Sequence, residues 1–200
     1  MVVVFCLTVL LHGSSVVQGG GRRVQLNTGA WMPLMNLGGT SQSTKPGNHF
    51  SNYSEFLFIG GRGIDTALTY TDALNAEIAA AIEAHPSIAR SDLWVTTKVT
   101  CCPGTGFCDQ AEYNVSIAKQ MTENNALLRV EYTDITLLHH PCTTTAQTVE
   151  RYLELEAGLK AGLTKAIGVS NFNADLLAAL AADSRVTTVP AVNQCNHAVR

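Results

Sequence analysis

Six short apolar runs free of internal proline recur along the chain, at Leu34 to Gly38, Gly63 to Asp65, Leu93 to Lys98, Ile135 to His139, Ala166 to Ser170 and Ala191 to Gln194. Dense runs of this length read as strands buried on both faces. Longer stretches of helical period lie between them. Asn75 to Ala84 stops before Pro86, Glu112 to Leu128 opens with an Asp109-x-x-Glu112 capping box, and Tyr152, Leu155 and Leu159 mark one face of a helix ending near Gly162. A further helix begins after Asn173, a good N-cap. Strands alternating with helices predict repeated βα units on a parallel sheet. Ahead of them, Val24 to Asn27 and Trp31 to Pro33 flank Thr28-Gly29 like a small hairpin, and Gly19 to Arg23 reads as a flexible joint.

The first stretch, Val2 to Leu11, is almost wholly apolar and is followed by Gly13, Ser14 and Ser15, the layout of a secretory h-region and cleavage zone. It is too short to span a bilayer. Residues 1–19 are therefore a candidate signal peptide and 24–200 the folded domain, which implies a secretory route, or a cytoplasmic protein if the run is not a leader, and no membrane span once it is removed. Three of the six cysteines crowd between Cys101 and Cys108, and the sequons Asn52-Tyr53-Ser54 and Asn114-Val115-Ser116 suit the same compartment.

With 46% hydrophobic and 14% charged residues in 200, the chain can bury one sizeable core. Its 13 basic and 16 acidic residues give no footprint for gripping phosphate backbones, so nucleic acid is not expected as a partner.

The informative polar residues stand where the apolar runs end: Asp65, Lys98, His139, Ser170 with Asn171, and Gln194. In a closed parallel barrel the C-terminal strand ends point into one mouth, where catalytic groups gather. A Rossmann site is disfavoured, because no glycine fingerprint follows a strand and opens a helix. Gly168-Val169-Ser170-Asn171-Phe172 lacks the second glycine of a nucleophile elbow. His139, His140, Cys142, Cys195 and His197 match no common zinc spacing, so no metal is expected.

Gly63-Ile64-Asp65-Thr66-Ala67-Leu68-Thr69-Tyr70 resembles the aldo-keto reductase segment in which an aspartate precedes the catalytic tyrosine by five residues. Trp94 to Lys98 resembles the strand bearing that family's lysine, and Asp134 to Pro141 the strand bearing its histidine. Ala166 to Phe172 and Pro190 to Gln194 resemble the two segments that hold the nicotinamide carboxamide. The resemblance runs from about Val24 to Cys195 and implies an incomplete (β/α)8 TIM barrel of about six βα units behind a short hairpin. It implies reduction of a small aldehyde or ketone by NADP(H), with Tyr70 as general acid assisted by Lys98, Asp65 and His139. Asp65, Ser170, Asn171 and Gln194 would contact the cofactor.

The chemistry needs these residue types because an unperturbed phenol is a reluctant proton donor at neutral pH. A nearby ammonium favours the phenolate, a carboxylate anchors the ammonium, and an imidazole orients the carbonyl by a hydrogen bond.

The sequence departs from the family in three places. His140 stands where tryptophan is frequent, which makes the pocket more polar. Cys101, Cys102 and Cys108 lie on the loop after Lys98, close in a barrel to Cys142, which suggests a disulfide. A full barrel takes roughly 250 residues, so two units are missing past Arg200, no residue is assigned to the NADP phosphate, and exposed edges are expected at the first and sixth strands. The alternatives are a non-catalytic nicotinamide-binding module and an inactive truncated fragment.

Overall fold

The computed structural model describes residues 21–39, 52–100 and 115–195, and the backbone of short strands at 2–3, 6–7 and 15–18. These strands are β1 (Val2–Val3), β2 (Cys6–Leu7) and β3 (Ser15–Gln18). The expected hairpin follows as β4 (Gly21–Gln25) and β5 (Trp31–Pro33), its turn made by Gly29 at a φ of +83°, with the Gly29 amide donating to Leu26 O. β3 pairs antiparallel with β4, so residues 21–23 belong to a three-stranded sheet and are not the flexible joint expected of them.

The six expected strands are all present: β6 (Asn36–Gly38), β7 (Gly63–Asp65), β8 (Trp94–Val99), β9 (Ile135–Leu138), β10 (Ile167–Ser170) and β11 (Asn193–Cys195). They pair in parallel in chain order. The arrangement is an incomplete (β/α)8 barrel with six parallel strands, and the hairpin sheet lies beside it. The open edges expected at the first and sixth strands are not found: β1 pairs antiparallel with β6, and β2 with β11.

Among the described residues, five α-helices and a short 3-10 helix, Arg90–Asp92, lie between the strands. α1 (Tyr53–Phe58) had no clear sequence signal; Asn52 Oδ1 caps it, accepting from the Glu55 amide at 2.9 Å. α2 (Asp72–Glu83) starts one turn before the expected Asn75, because Thr71 Oγ1 accepts from the Leu74 amide at 3.2 Å. α3 (Ile117–Leu127) is capped by Ser116 Oγ, which accepts from the Lys119 amide; the expected capping box at 109–112 is outside the described residues. α4 (Thr145–Lys160) ends as expected at Gly162, whose φ of +77° lets Leu163 N return to Gly158 O. α5 (Ala174–Ala182) is capped by Asn173, as the sequence predicts.

Side chains alternate across the sheet with the strand period of two. On β8, Trp94 faces the barrel interior, its indole donating to Thr96 Oγ1 two residues on, while Val95 and Val99 pack under the helices. The interior cluster joins Val24, Leu26 and Met32 of the hairpin to Trp94, Ile135, Leu137 and Val192, so the hairpin closes the N-terminal end of the barrel. Each such large side chain, fully buried, contributes about 1.5–3 kcal/mol. Gly168 is required where β10 meets the approach to β11, because a Cβ there would lie 2.5 Å from Val192 O.

Candidate active site

The opposite, C-terminal end of the sheet collects the polar residues. Asp65 closes β7, Lys98 is the penultimate residue of β8, His139 follows β9, Ser170 closes β10 and Gln194 is central in β11. The parallel register pairs Ser170 with Gln194 and Lys98 with Leu137, which keeps these ends level around one mouth.

Lys98 is 2% exposed, and its Nζ lies 2.8 and 3.0 Å from the two Asp65 oxygens and 2.8 Å from Thr66 O. Burial alone would lower the Lys98 pKa, but the Asp65 carboxylate and the Tyr70 hydroxyl outweigh it and raise it, so the side chain is a buried ammonium. That ammonium lies 5.2 Å from the centroid of the Tyr70 ring.

Tyr70 is half-buried on the loop between β7 and α2. The loop is held to β8 by Thr66 N to Thr96 O and Leu68 N to Lys98 O. It is held to α2 by the buried Asn75, which accepts from Thr66 Oγ1 at 2.9 Å and donates to Ala67 O.

His139 meets the Tyr70 ring edge-on, with centroids 5.7 Å apart. Burial, then the Lys98 charge and His140, push its pKa down to about 2, so the ring is neutral and carries one N–H donor. His140 stacks on it at 4.5 Å, its own pKa lowered by burial and then by Lys98. Asn171, in the left-handed region at φ 62°, donates to His139 O at 3.1 Å and has its Nδ2 3.2 Å from His140 Nδ1. It thus ties β10 to the histidine pair.

Ser170 Oγ donates to Gln194 O at 2.8 Å and lies 3.0 Å from Asn171 Nδ2. Gln194 Nε2 donates to Asp65 Oδ2 at 3.3 Å, while its Oε1 is buried without a partner. An orphaned buried acceptor beside a carboxylate-bound ammonium suits a ligand that brings an amide N–H, which is what a nicotinamide carboxamide offers. Among the described residues, Gln194, Ser170, Asn171 and Asp65 fit such a group.

Every site residue expected from sequence therefore stands at this one mouth. Three supports were missed: Thr66, through its carbonyl and hydroxyl; Asn75; and Gln120, whose amide accepts from Thr100 N at 2.8 Å and donates to Thr100 O, pinning the chain just past Lys98. A polar residue beside the buried Leu74 and Ile78 of α2 was the available signal for Asn75. Cys142 is buried and its amide donates to Thr148 Oγ1, but its expected disulfide partners are outside the described residues.

The chain is 33% identical over 172 residues to morphine 6-dehydrogenase of Pseudomonas putida, covering 86% of this chain and 53% of that protein. It is 35% identical over 140 residues to a methylglyoxal reductase of Salmonella typhimurium, covering 66% and 47%. A solved aldo-keto reductase of the silkworm Bombyx mori, complexed with NADPH, superposes with a TM-score of 0.71 at 27% identity, covering 92% of this chain and 56% of that one. The aldose reductase of Schistosoma japonicum gives 0.70 at 26%, covering 86% and 60%. The chain spans about half the length of the curated relatives it matches. The model of the aldo/keto reductase family matches residues 32–199; with six parallel strands that bring a lysine, aspartate, tyrosine and histidine to one mouth, the chain belongs to the aldo/keto reductase family.

Proposed function

We propose that this chain reduces aldehydes or ketones to alcohols with NADPH, with Tyr70 as the proton donor. The observation that carries this reading is the buried Lys98–Asp65 pair 5.2 Å from the Tyr70 ring, with a neutral His139 edge-on to the same ring. Tyr70 gives its phenolic proton to the carbonyl oxygen, and the Lys98 ammonium stabilises the phenolate left behind. Asp65 keeps Lys98 charged and fixed. His139, having one N–H and no positive charge, donates to the substrate oxygen and orients it. Gln194 Oε1, buried without a partner, would accept from the carboxamide of a bound nicotinamide cofactor, and Ser170, Asn171 and Asp65 would form the rest of that wall. When bound, the nicotinamide supplies the hydride. His140, stacked on His139, makes the wall beside the substrate polar. A disulfide from Cys142 to one of Cys101, Cys102 or Cys108 is part of the reading, and thiol mapping before and after reduction checks it.

The test is oxidation of NADPH by the purified chain on addition of methylglyoxal or another short aldehyde. Aldehyde-dependent oxidation supports the reading. Because the chain spans about half of its relatives, a second reading is kept: NADPH binding without turnover would make it a nicotinamide-binding module, and no binding at all would make it an inactive fragment.

A further inference from the structure

The ring of His139 has Tyr70 edge-on, His140 stacked at 4.5 Å and, at Nδ1, the hydroxyl of Thr69 at 3.5 Å. Burial, then the Lys98 charge and His140, keep the ring neutral, so the choice is between its two neutral tautomers. A neutral imidazole carries a single N–H, and the bond made by one ring nitrogen decides which of the two holds it. The Thr69 hydroxyl can donate to a bare Nδ1, which leaves the proton on Nε2. It can instead accept from a protonated Nδ1, which leaves Nε2 a bare acceptor. With Nδ1 turned to Thr69, Nε2 is the nitrogen left for a carbonyl oxygen, and only the first tautomer offers that oxygen a donor.

Thr69 sits between two anchors of the loop that carries Tyr70. Leu68 N donates to Lys98 O at 3.0 Å and Tyr70 N to Ala67 O at 3.1 Å, so one turn holds both the hydroxyl and the phenol. On the other side of the contact, His139 N donates to Val99 O at 2.9 Å. The Thr69–His139 pair thus joins residues 70 apart in sequence across two backbone-anchored segments. A separation of 3.5 Å is long for such a bond, and contacts of this kind at a reacting site tighten when substrate is bound. Valine would give the position nearly the same shape, so what threonine adds there is the hydroxyl.

We propose that Thr69 is a positioning residue that donates its hydroxyl proton to Nδ1 of His139 and so keeps the ring's N–H on Nε2, toward the substrate. The tautomer assignment stands on the contact itself, and its bearing on turnover rests on the reductase reading. Thr69 acts through His139 and touches neither the reacting carbon nor the hydride.

The experiment takes the full chain with 15N-labelled histidine and reads the two ring-nitrogen shifts of His139 by NMR, assigned by their loss in His139→Gln. In the wild-type chain Nε2 is expected at the shift of a protonated nitrogen and Nδ1 at that of a bare one. In Thr69→Val the two shifts should move toward each other as the tautomers mix, and in Thr69→Ser they should return. Turnover of a short aldehyde with NADPH should fall about three- to tenfold in Thr69→Val, with NADPH affinity unchanged, and recover in Thr69→Ser. A proton on Nδ1 in the wild-type chain, or shifts that Thr69→Val leaves in place, would overturn the proposal. The wild-type shifts decide even if the valine variant does not fold. The expected shifts in a chain that shows no turnover would uphold the Thr69 assignment and count against the reductase reading alone.

Discussion

The Lys98 ammonium donates to both oxygens of Asp65, at 2.8 and 3.0 Å, with both side chains almost fully buried. Each charge would be costly to bury alone, and removing one partner strands the other. Asp65→Asn is therefore expected to destabilise the fold by about 3–5 kcal/mol, read from the urea midpoint. Lys98→Met leaves the carboxylate instead, which can take up a proton, so its deficit should shrink as pH falls. Equal loss for both variants at all pH values would contradict a charged pair.

His139 gives a pH dependence with a definite sign. Its folded pKa is lowered to about 2, while the unfolded imidazole titrates near ~6.5. Between those values the unfolded state binds the extra proton, so stability contributed by the neutral ring is present above about pH 6.5 and is lost as pH falls. His139→Gln should flatten the acid side of a plot of urea midpoint against pH by no more than about one proton. An unchanged slope would mean that the ring is protonated in the fold.

The segment entering β11 is held from α4 by Glu156, whose Oε1 accepts from Thr187 N at 2.8 Å, Thr188 N at 2.5 Å and Thr187 Oγ1 at 3.2 Å. Tyr152 OH adds a bond to Thr188 O at 2.9 Å. Glu156→Ala leaves two amides without partners and should cost about 2–5 kcal/mol. Amide exchange at Thr187 and Thr188 should quicken more than at β8. Uniform quickening would show a global effect and no specific anchor.

Much of this was legible in the sequence because the strands are apolar on both faces and end in polar residues, so Asp65, Lys98, His139, Ser170 and Gln194 mark their own positions. Caps decide where the helices begin, and periodicity alone marks them less well: the Thr71 hydroxyl starts α2 three residues ahead of Asn75, and the Ser116 hydroxyl starts α3. The edge pairing was not legible. An apolar run fits a leader or a strand equally well, and the pairing of Val2–Val3 with β6 and of Cys6–Leu7 with β11 is a matter of register that the pattern does not carry. Nor did the composition show that Asn171 spends its amide on the His139 carbonyl, because that contact joins residues 32 apart in sequence.

The measurement that bears most directly on the central claim compares aldehyde-dependent NADPH oxidation by the wild-type chain and by Tyr70→Phe, with NADPH affinity measured on both. Removing the phenolic proton while keeping the ring should lower turnover by about 10²–10⁴-fold and leave NADPH affinity nearly unchanged, since the carboxamide wall is built by Gln194, Ser170, Asn171 and Asp65. Turnover that survives Tyr70→Phe within a few-fold would show that another group donates the proton, and would contradict the account.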